Sequence, residues 1–197
     1  EQQAEKAGGK VHYLLGNHEY MVLENDLRYI HKKYERTTEL LGRNIAYLFN
    51  KNTVLGRWLR SKSTIIKIDN KVFVHGGLSK KFIFDKGFDI EKSNNFLREF
   101  IQAPLFRSRG VLFDYKKHLG PDGPLWYRGY FFDNLKEPEI DSILKKIDVN
   151  HIIVGHCTNS KIVQLYNRKV FGVDSNIKSG QYGELLFIED NDFSRLT

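Results

Sequence analysis

Three short apolar runs in this chain end alike, and that repeated ending constrains the fold more than any other feature. Lys10 to Leu15 runs into Gly16-Asn17-His18-Glu19, Val72 to Val74 into His75-Gly76-Gly77, and Ile152 to Val154, in an expected strand from His151 to Gly155, into Gly155-His156. Short apolar runs stopped by glycine read as buried strands. Longer periodic stretches lie between them. Glu1 to Ala7 reads as the end of a helix stopped at Gly8-Gly9. The region from Gly16 to about Leu59 reads as a helical layer, with Leu27, Ile30 and Tyr34 on one face and Ile45, Leu48 and Phe49 on another. Thr37-Thr38 and Asn52-Thr53 are its expected interruptions, since either pair can cap a new helix.

Ile90 to Ile101 and Pro138 to Ile147 repeat apolar residues at helical spacing. Ser63 to Ile68 and Lys71 to His75 are expected to pair across an Asp69-Asn70 hairpin turn, and Gly120 to Pro124 to form another turn. Further strands are expected at Lys161 to Tyr166, Lys169 to Val173 and Glu184 to Glu189, the first two joined around Asn167-Arg168. The sum is an α/β chain whose C-terminal half is rich in strands.

The 197 residues, 41% apolar and 28% charged, can build one core, and 4 Pro and 16 Gly leave little material for linkers. A single domain over 1–197 is therefore expected. No apolar stretch approaches the roughly 20 residues of a membrane-crossing helix. The single cysteine, Cys157, excludes an intrachain disulfide and a cysteine-rich zinc module. A soluble protein is expected, with cytoplasm and periplasm both open. The net charge of +7 is uneven: Leu40 to Ile68 holds Arg43, Lys51, Arg57, Arg60, Lys62 and Lys67 and no acidic residue. Such a run attracts phosphate-bearing partners or simply solvates a helix face. Nucleic acid is not expected as a partner, because no zinc-finger, RRM or helix-turn-helix signature accompanies it.

Ligands of open α/β sheets collect outside the carboxyl ends of the strands, so polar residues at three such ends can share one crevice. Imidazole nitrogens of His75 and His156 with the amide oxygen of Asn17 would make a mixed nitrogen and oxygen site, suited to manganese, iron or zinc rather than magnesium or calcium. His18 follows Asn17 at a turn, where successive side chains splay apart, and can face a substrate oxygen as general acid. Arg128, within Pro124-Leu125-Trp126-Tyr127-Arg128-Gly129-Tyr130, can be held as a planar fork for phosphate oxygens or stack on an aromatic neighbour.

In this order, Gly16-Asn17-His18-Glu19, His75-Gly76-Gly77 and Gly155-His156 resemble the motifs of calcineurin-like metallophosphatases of the phosphoprotein phosphatase type. Gly8-Gly9-Lys10-Val11-His12 and Gly123 to Arg128 resemble the bacterial branch called Shewanella-like protein phosphatases. The likeness runs from about Glu5 to Asp174. It implies two mixed β-sheets packed as a sandwich and flanked by helices. It also implies a phosphomonoester hydrolase with two divalent metal ions, one held by Asn17, His75 and His156, with His18 and Arg128 as catalytic residues. Attack in line by a metal-bound hydroxide is the implied chemistry. Phosphoproteins or small phosphoesters are the implied substrates.

Two aspartate-bearing motifs of that family, Gly-Asp-x-His-Gly and Gly-Asp-x-x-Asp-Arg-Gly, do not occur in the chain. The expectation is therefore a domain truncated at its N-terminus, lacking strands and motifs and binding at most one metal ion. A catalytically inactive phosphatase-like binding protein and a nucleotide or dinucleoside polyphosphate hydrolase are the competing readings. Cys157 stands where threonine is common and is expected to be a small buried residue.

Overall fold

The computed structural model describes residues 1–85, 87–102 and 109–197. The helices are α1 (Gln2–Lys6), α2 (Asn17–Leu23), α3 (Lys32–Leu40), α4 (Ile45–Leu48), α5 (Val54–Arg60), α6 (Lys80–Ile83), α7 (Ile90–Gln102), α8 (Arg109–Leu119), α9 (Gly129–Phe132) and α10 (Glu137–Ile147). The strands are β1 (Ile65–Ile68), β2 (Lys71–Val74), β3 (His151–Val154), β4 (Val163–Leu165), β5 (Val170–Gly172), β6 (Leu185–Glu189) and β7 (Asp192–Leu196).

Five strands form one mixed sheet in the order β1-β2-β3-β5-β4, with parallel pairs at the centre and antiparallel pairs at both edges. Side chains alternate across it, as the two-residue period of a strand requires. Val72, Val74, Ile152, Val154 and Val170 face a core built with Ile140, Ile143, Leu144 and Ile147 of α10 and with Phe82 and Ile83 of α6. Phe73, Ile153 and Phe171 face the other way, onto Phe193, Leu186 and Ile188 of the β6–β7 hairpin. The rings of Phe171 and Phe193 stack at 4.4 Å and 10°. The expected α/β fold with two packed sheets is present. The second sheet is a two-stranded antiparallel hairpin rather than a mixed sheet.

The β1–β2 hairpin turns through Asp69 and Asn70 as expected, with Asp69 at φ +51° and Ile68 opposite Lys71. Thr53 caps α5 by accepting from the backbone N–H of Gly56, again as expected. Thr37 and Thr38 do not interrupt the helical layer. Their hydroxyls donate back to the carbonyls of Lys33 and Glu35, which satisfies them inside α3. The break falls instead at Gly42 to Asn44, where Gly42 takes φ +65° and Asn44 caps α4.

The expected strand at Lys10 to Leu15 is also absent. Leu15 N–H donates to Ser63 O, and Leu14 bridges Ser63 in parallel, but this single bridge does not make a ladder. Leu15 is nevertheless buried with Tyr20, Leu23, Leu59, Ile101 and Leu125 in a second core beneath the helical layer. The helices α8 and α9 and the strand β7 had no expectation in the sequence.

Candidate active site

Val74 and Val154 are register partners in the parallel β2–β3 pair, so the chain leaves both strands at the same sheet edge. Gly155 N–H donates to His75 O and extends that pairing by one rung at 2.9 Å. His75 and His156 thus come off adjacent interior strands, while Asn17, buried at 3% exposure, approaches from the first turn of α2. His75 Nε2 lies 2.7 Å from Asn17 Oδ1 and 3.0 Å from His156 Nδ1. The structure brings together the three residues that the sequence nominated as metal ligands.

A single proton on His75 Nε2 can serve Asn17 or His156 but not both, so three lone-pair donors meet with too few protons among them. A cation resolves that conflict. Ligand atoms about 2.0–2.2 Å from a shared metal stand about 2.8–3.6 Å from each other, close to the spacing observed. The donor set therefore fits a divalent metal ion. Among the described residues no three of His, Cys, Asp and Glu gather as a metal-binding group, because the third donor here is an amide.

Burial pushes the His156 imidazole down to about 4 and holds His75 below its ordinary value as well, with His18 and Arg128 contributing positive charge in each case. Both rings are accordingly neutral near pH 7, the form that binds metal. His156 sits at φ +58°, the left-handed region, and Cys157 N–H folds back onto Gly155 O at 2.6 Å. This tight turn across a non-glycine residue is strained, and such strain is typical of functional loops. The second nitrogen of His156, Nε2, is buried without a hydrogen-bond partner.

Glycine here lets chain approach chain. A Cβ on Gly76 would lie 2.8–2.9 Å from backbone atoms of Pro124, Trp126 and Tyr127. Gly76 N–H donates to Pro124 O at 2.7 Å, which docks the Pro124–Arg128 segment against the strand end. Arg128 then precedes α9, exposed, and its guanidinium takes no part in the cation–ring contacts among the described residues. Its charge acts on the imidazoles of both His75 and His156. His18 is exposed beside Asn17 and packs its ring on Tyr29 at 4.9 Å. Cys157 is buried, as expected of it, and its thiol is pushed up by that burial.

The sequence reading missed two carboxylates. Glu19 Oε2 accepts from Gly16 N–H at 2.8 Å and fixes the turn that presents Asn17. Asp174 lies two residues beyond β5, where its carboxylate accepts from the Thr158 hydroxyl at 2.8 Å and from Asn176 N–H at 3.1 Å. Its backbone carbonyl also accepts from Asn159 N–H, so Asp174 ties the loop after His156 to the next strand end. Both carboxylates favour the charged form of His75 against the desolvation that dominates. The signal for Asp174 was the one used for the histidines, a polar residue just past a short apolar run.

Two strand ends, paired imidazoles and a buried amide thus meet in one place, with His18 and Arg128 beside them. The chain belongs to the calcineurin-like phosphoesterase family, whose profile matches residues 1–157. It is similar to the cold-active protein-tyrosine phosphatase of a psychrophilic Shewanella species, with 43% identity and a TM-score of 0.89 over 98% of this chain and 58% of that one. A further structure of a cold-active protein tyrosine phosphatase, at 1.1 Å, gives 44% identity and a TM-score of 0.88 over 98% and 57%. An uncharacterized protein of Schizosaccharomyces pombe is 30% identical, over 96% of this chain and 58% of its own length. The chain thus spans 57–58% of the length of these relatives. The family implies divalent metal ions. No helix among the described residues is long and apolar enough to cross a membrane.

Proposed function

We propose that this chain carries part of the site of a metal-dependent phosphomonoester hydrolase that acts on phosphorylated tyrosine in proteins. The observation that carries this reading is the meeting of Asn17 Oδ1 and His156 Nδ1 at His75 Nε2, within 2.7 and 3.0 Å. Asn17, His75 and His156 would hold one divalent ion, with manganese, iron or zinc matching their nitrogen-rich donor set. When bound, the ion supplies Lewis acidity toward phosphoryl oxygens and toward water.

The other roles fall to residues of the chain itself. Arg128 presents two parallel N–H donors to non-bridging phosphoryl oxygens and orients the ester. His18 gives its proton to the oxygen that leaves as the P–O bond breaks, while a water oxygen bonds to phosphorus and inorganic phosphate is released. Glu19 and Asp174 hold the turns from which Asn17 and His156 reach the site. Phosphotyrosine is favoured over a nucleotide by the likeness to two structures of cold-active protein tyrosine phosphatases, at 43–44% identity.

The test is phosphate release from one peptide phosphorylated on tyrosine or on serine, by the protein containing this chain in Mn2+. Faster release from the tyrosine form, lost in Arg128→Lys with folding intact, is expected. Equal cleavage of a dinucleoside polyphosphate, or no cleavage with metal fully bound, would overturn the reading.

A further inference from the structure

The helix that carries Asn17 and His18 is only seven residues long, and its ending returns the chain to where the helix began. Asn25 takes φ +63°, and the N–H groups of Asn25 and Asp26 donate to the carbonyls of Val22 and Met21 at 3.1 and 2.8 Å. Such a left-handed stop reverses the chain, and asparagine tolerates it better than most residues. The Asp26 carboxylate then accepts from Nε and a terminal N–H of Arg28 at 2.8 and 2.6 Å. Ile30 N–H closes a further turn onto Leu27 O at 3.0 Å. This loop brings Tyr29 back to the first turn of α2, where its ring meets the ring of His18 at 4.9 Å and 45°.

The contact supplies what His18 otherwise lacks. Among the described residues the exposed His18 side chain has no hydrogen-bond or ion-pair partner, and its ring contact is with Tyr29. His75 and His156 are held through their nitrogens, which suits ligands. A proton donor needs a fixed direction but an unoccupied nitrogen, because it must stand within hydrogen-bond reach of the oxygen it serves. Packing of ring on ring restricts the rotamer and leaves both nitrogens available. Tyr29 is 64% exposed and belongs to none of the three hydrophobic clusters, so a place in the core does not account for its position. The guanidinium of Arg28 lies 5.9 Å from its ring centroid, within range of a cation–ring attraction, so the loop's ion pair also bears on the ring.

We propose that Tyr29 is a positioning residue for phosphoester cleavage, its ring setting the direction in which His18 delivers a proton to the leaving oxygen. The proposal rests on the phosphatase reading and gives Tyr29 no contact with the phosphoryl group.

The test uses two aryl esters that differ in their need for that proton. Phenyl phosphate expels a basic phenoxide and needs it; dinitrophenyl phosphate expels a weakly basic one and does not. Turnover of both by the protein containing this chain is measured in Mn2+. Tyr29→Leu is expected to lower kcat on phenyl phosphate by about tenfold or more, part of the roughly 100- to 10,000-fold that a general acid supplies, and on dinitrophenyl phosphate by less than about twofold. Tyr29→Phe keeps the ring and is expected to stay within about twofold of the parent on both esters. Inhibition by inorganic phosphate is expected to be unchanged in both variants, with a thermal melt showing each folded. Should the leucine variant unfold, Tyr29→Ala serves in its place. NMR of the Zn2+-loaded protein reads the placement itself: the ring protons of His18, displaced by the ring current of Tyr29, are expected to move in Tyr29→Leu and to stay in Tyr29→Phe. Equal losses on the two esters in Tyr29→Leu, no loss on either, or unmoved His18 resonances would overturn the positioning role. Turnover of neither ester by the parent protein strikes the phosphatase reading alone, because the resonances still decide whether Tyr29 holds the ring.

Discussion

The two limbs of the site are built differently. His75 and His156 extend from β2 and β3, neighbouring interior strands whose side chains are packed on both faces. Asn17 and His18 extend from Lys10 to Leu15, a segment whose ladder pairing is one bridge at Leu14 and Ser63; Leu15 anchors it in the second core and Tyr13 packs on Trp58, while Val11 is 51% exposed. Under the proposed reading, one limb would supply a fixed pair of ligands and the other a third. A cation bridging them would hold the second limb against the first, so part of its binding free energy would go into fixing the turn at residues 14–17.

The sharpest way to break that contrast is to delete packing from each limb. Ile152→Ala, at 0% exposure, is expected to destabilise the protein by about 2–5 kcal/mol through lost burial and the cavity left behind. Val11→Ala, on the exposed segment, is expected to stay within about 0.5 kcal/mol. Urea denaturation of both variants measures this, and comparable losses would mean that the two limbs are equally fixed. Ligand deletion follows in size. His75→Ala is expected to lower divalent-cation affinity by more than about 100-fold, beyond the 10–100-fold typical of a mere supporting partner, and Asn17→Ala by about tenfold. Calorimetric titration of each variant reads the difference.

A smaller effect separates the limbs without mutation. On cation binding, amide exchange is expected to slow about tenfold or more at residues 14–20 and to change little in β2 and β3, since a limb paired through one bridge has fewer ladder hydrogen bonds to hold it closed than two interior strands. Uniform slowing throughout would remove the distinction.

The smallest expected effect lies away from both limbs. His118 is buried at 5% exposure, stacks on Phe96 and meets Phe82 edge-on, and burial lowers its imidazole below the ordinary value. A lowered value means that the folded state resists the proton more than the unfolded state does. The stability this contributes is full above about pH 6.5 and is lost as pH falls through the lowered value. Thermal melts from pH 7 to 5 are expected to fall less steeply in His118→Phe than in the parent protein; identical slopes would show that His118 does not carry the effect.

The fixed limb was legible in the sequence. Val72 to Val74 and Ile152 to Val154 are apolar at every position because both faces of their sheet are covered, and the polar residue after each run had to lie at its edge. The second limb read falsely as a strand, because Lys10 to Leu15 has a strand's composition, and composition does not reveal whether a neighbouring strand is present to complete the ladder. Thr37 and Thr38 misled for a local reason, since a hydroxyl that can cap a helix can equally bond back within one. Asp174 follows an apolar run as the histidines do, but its contacts to Thr158, Asn159 and Asn176 are ones that only the fold assembles. The nitrogen that each histidine presents was likewise beyond the sequence, because it depends on strand register and on the left-handed turn at His156.

That nitrogen assignment allows the most direct test of a single cation shared by Asn17, His75 and His156. Imidazole 15N resonances followed during titration with Zn2+ distinguish Nδ1 from Nε2 for each ring. One equivalent is expected to shift His75 Nε2 and His156 Nδ1 together, with the Asn17 side-chain amide moving in step and His18 retaining its free-ring signals. Shifts of His75 and His156 at different equivalents of metal, or coordination through His18 in place of either, would contradict the shared site.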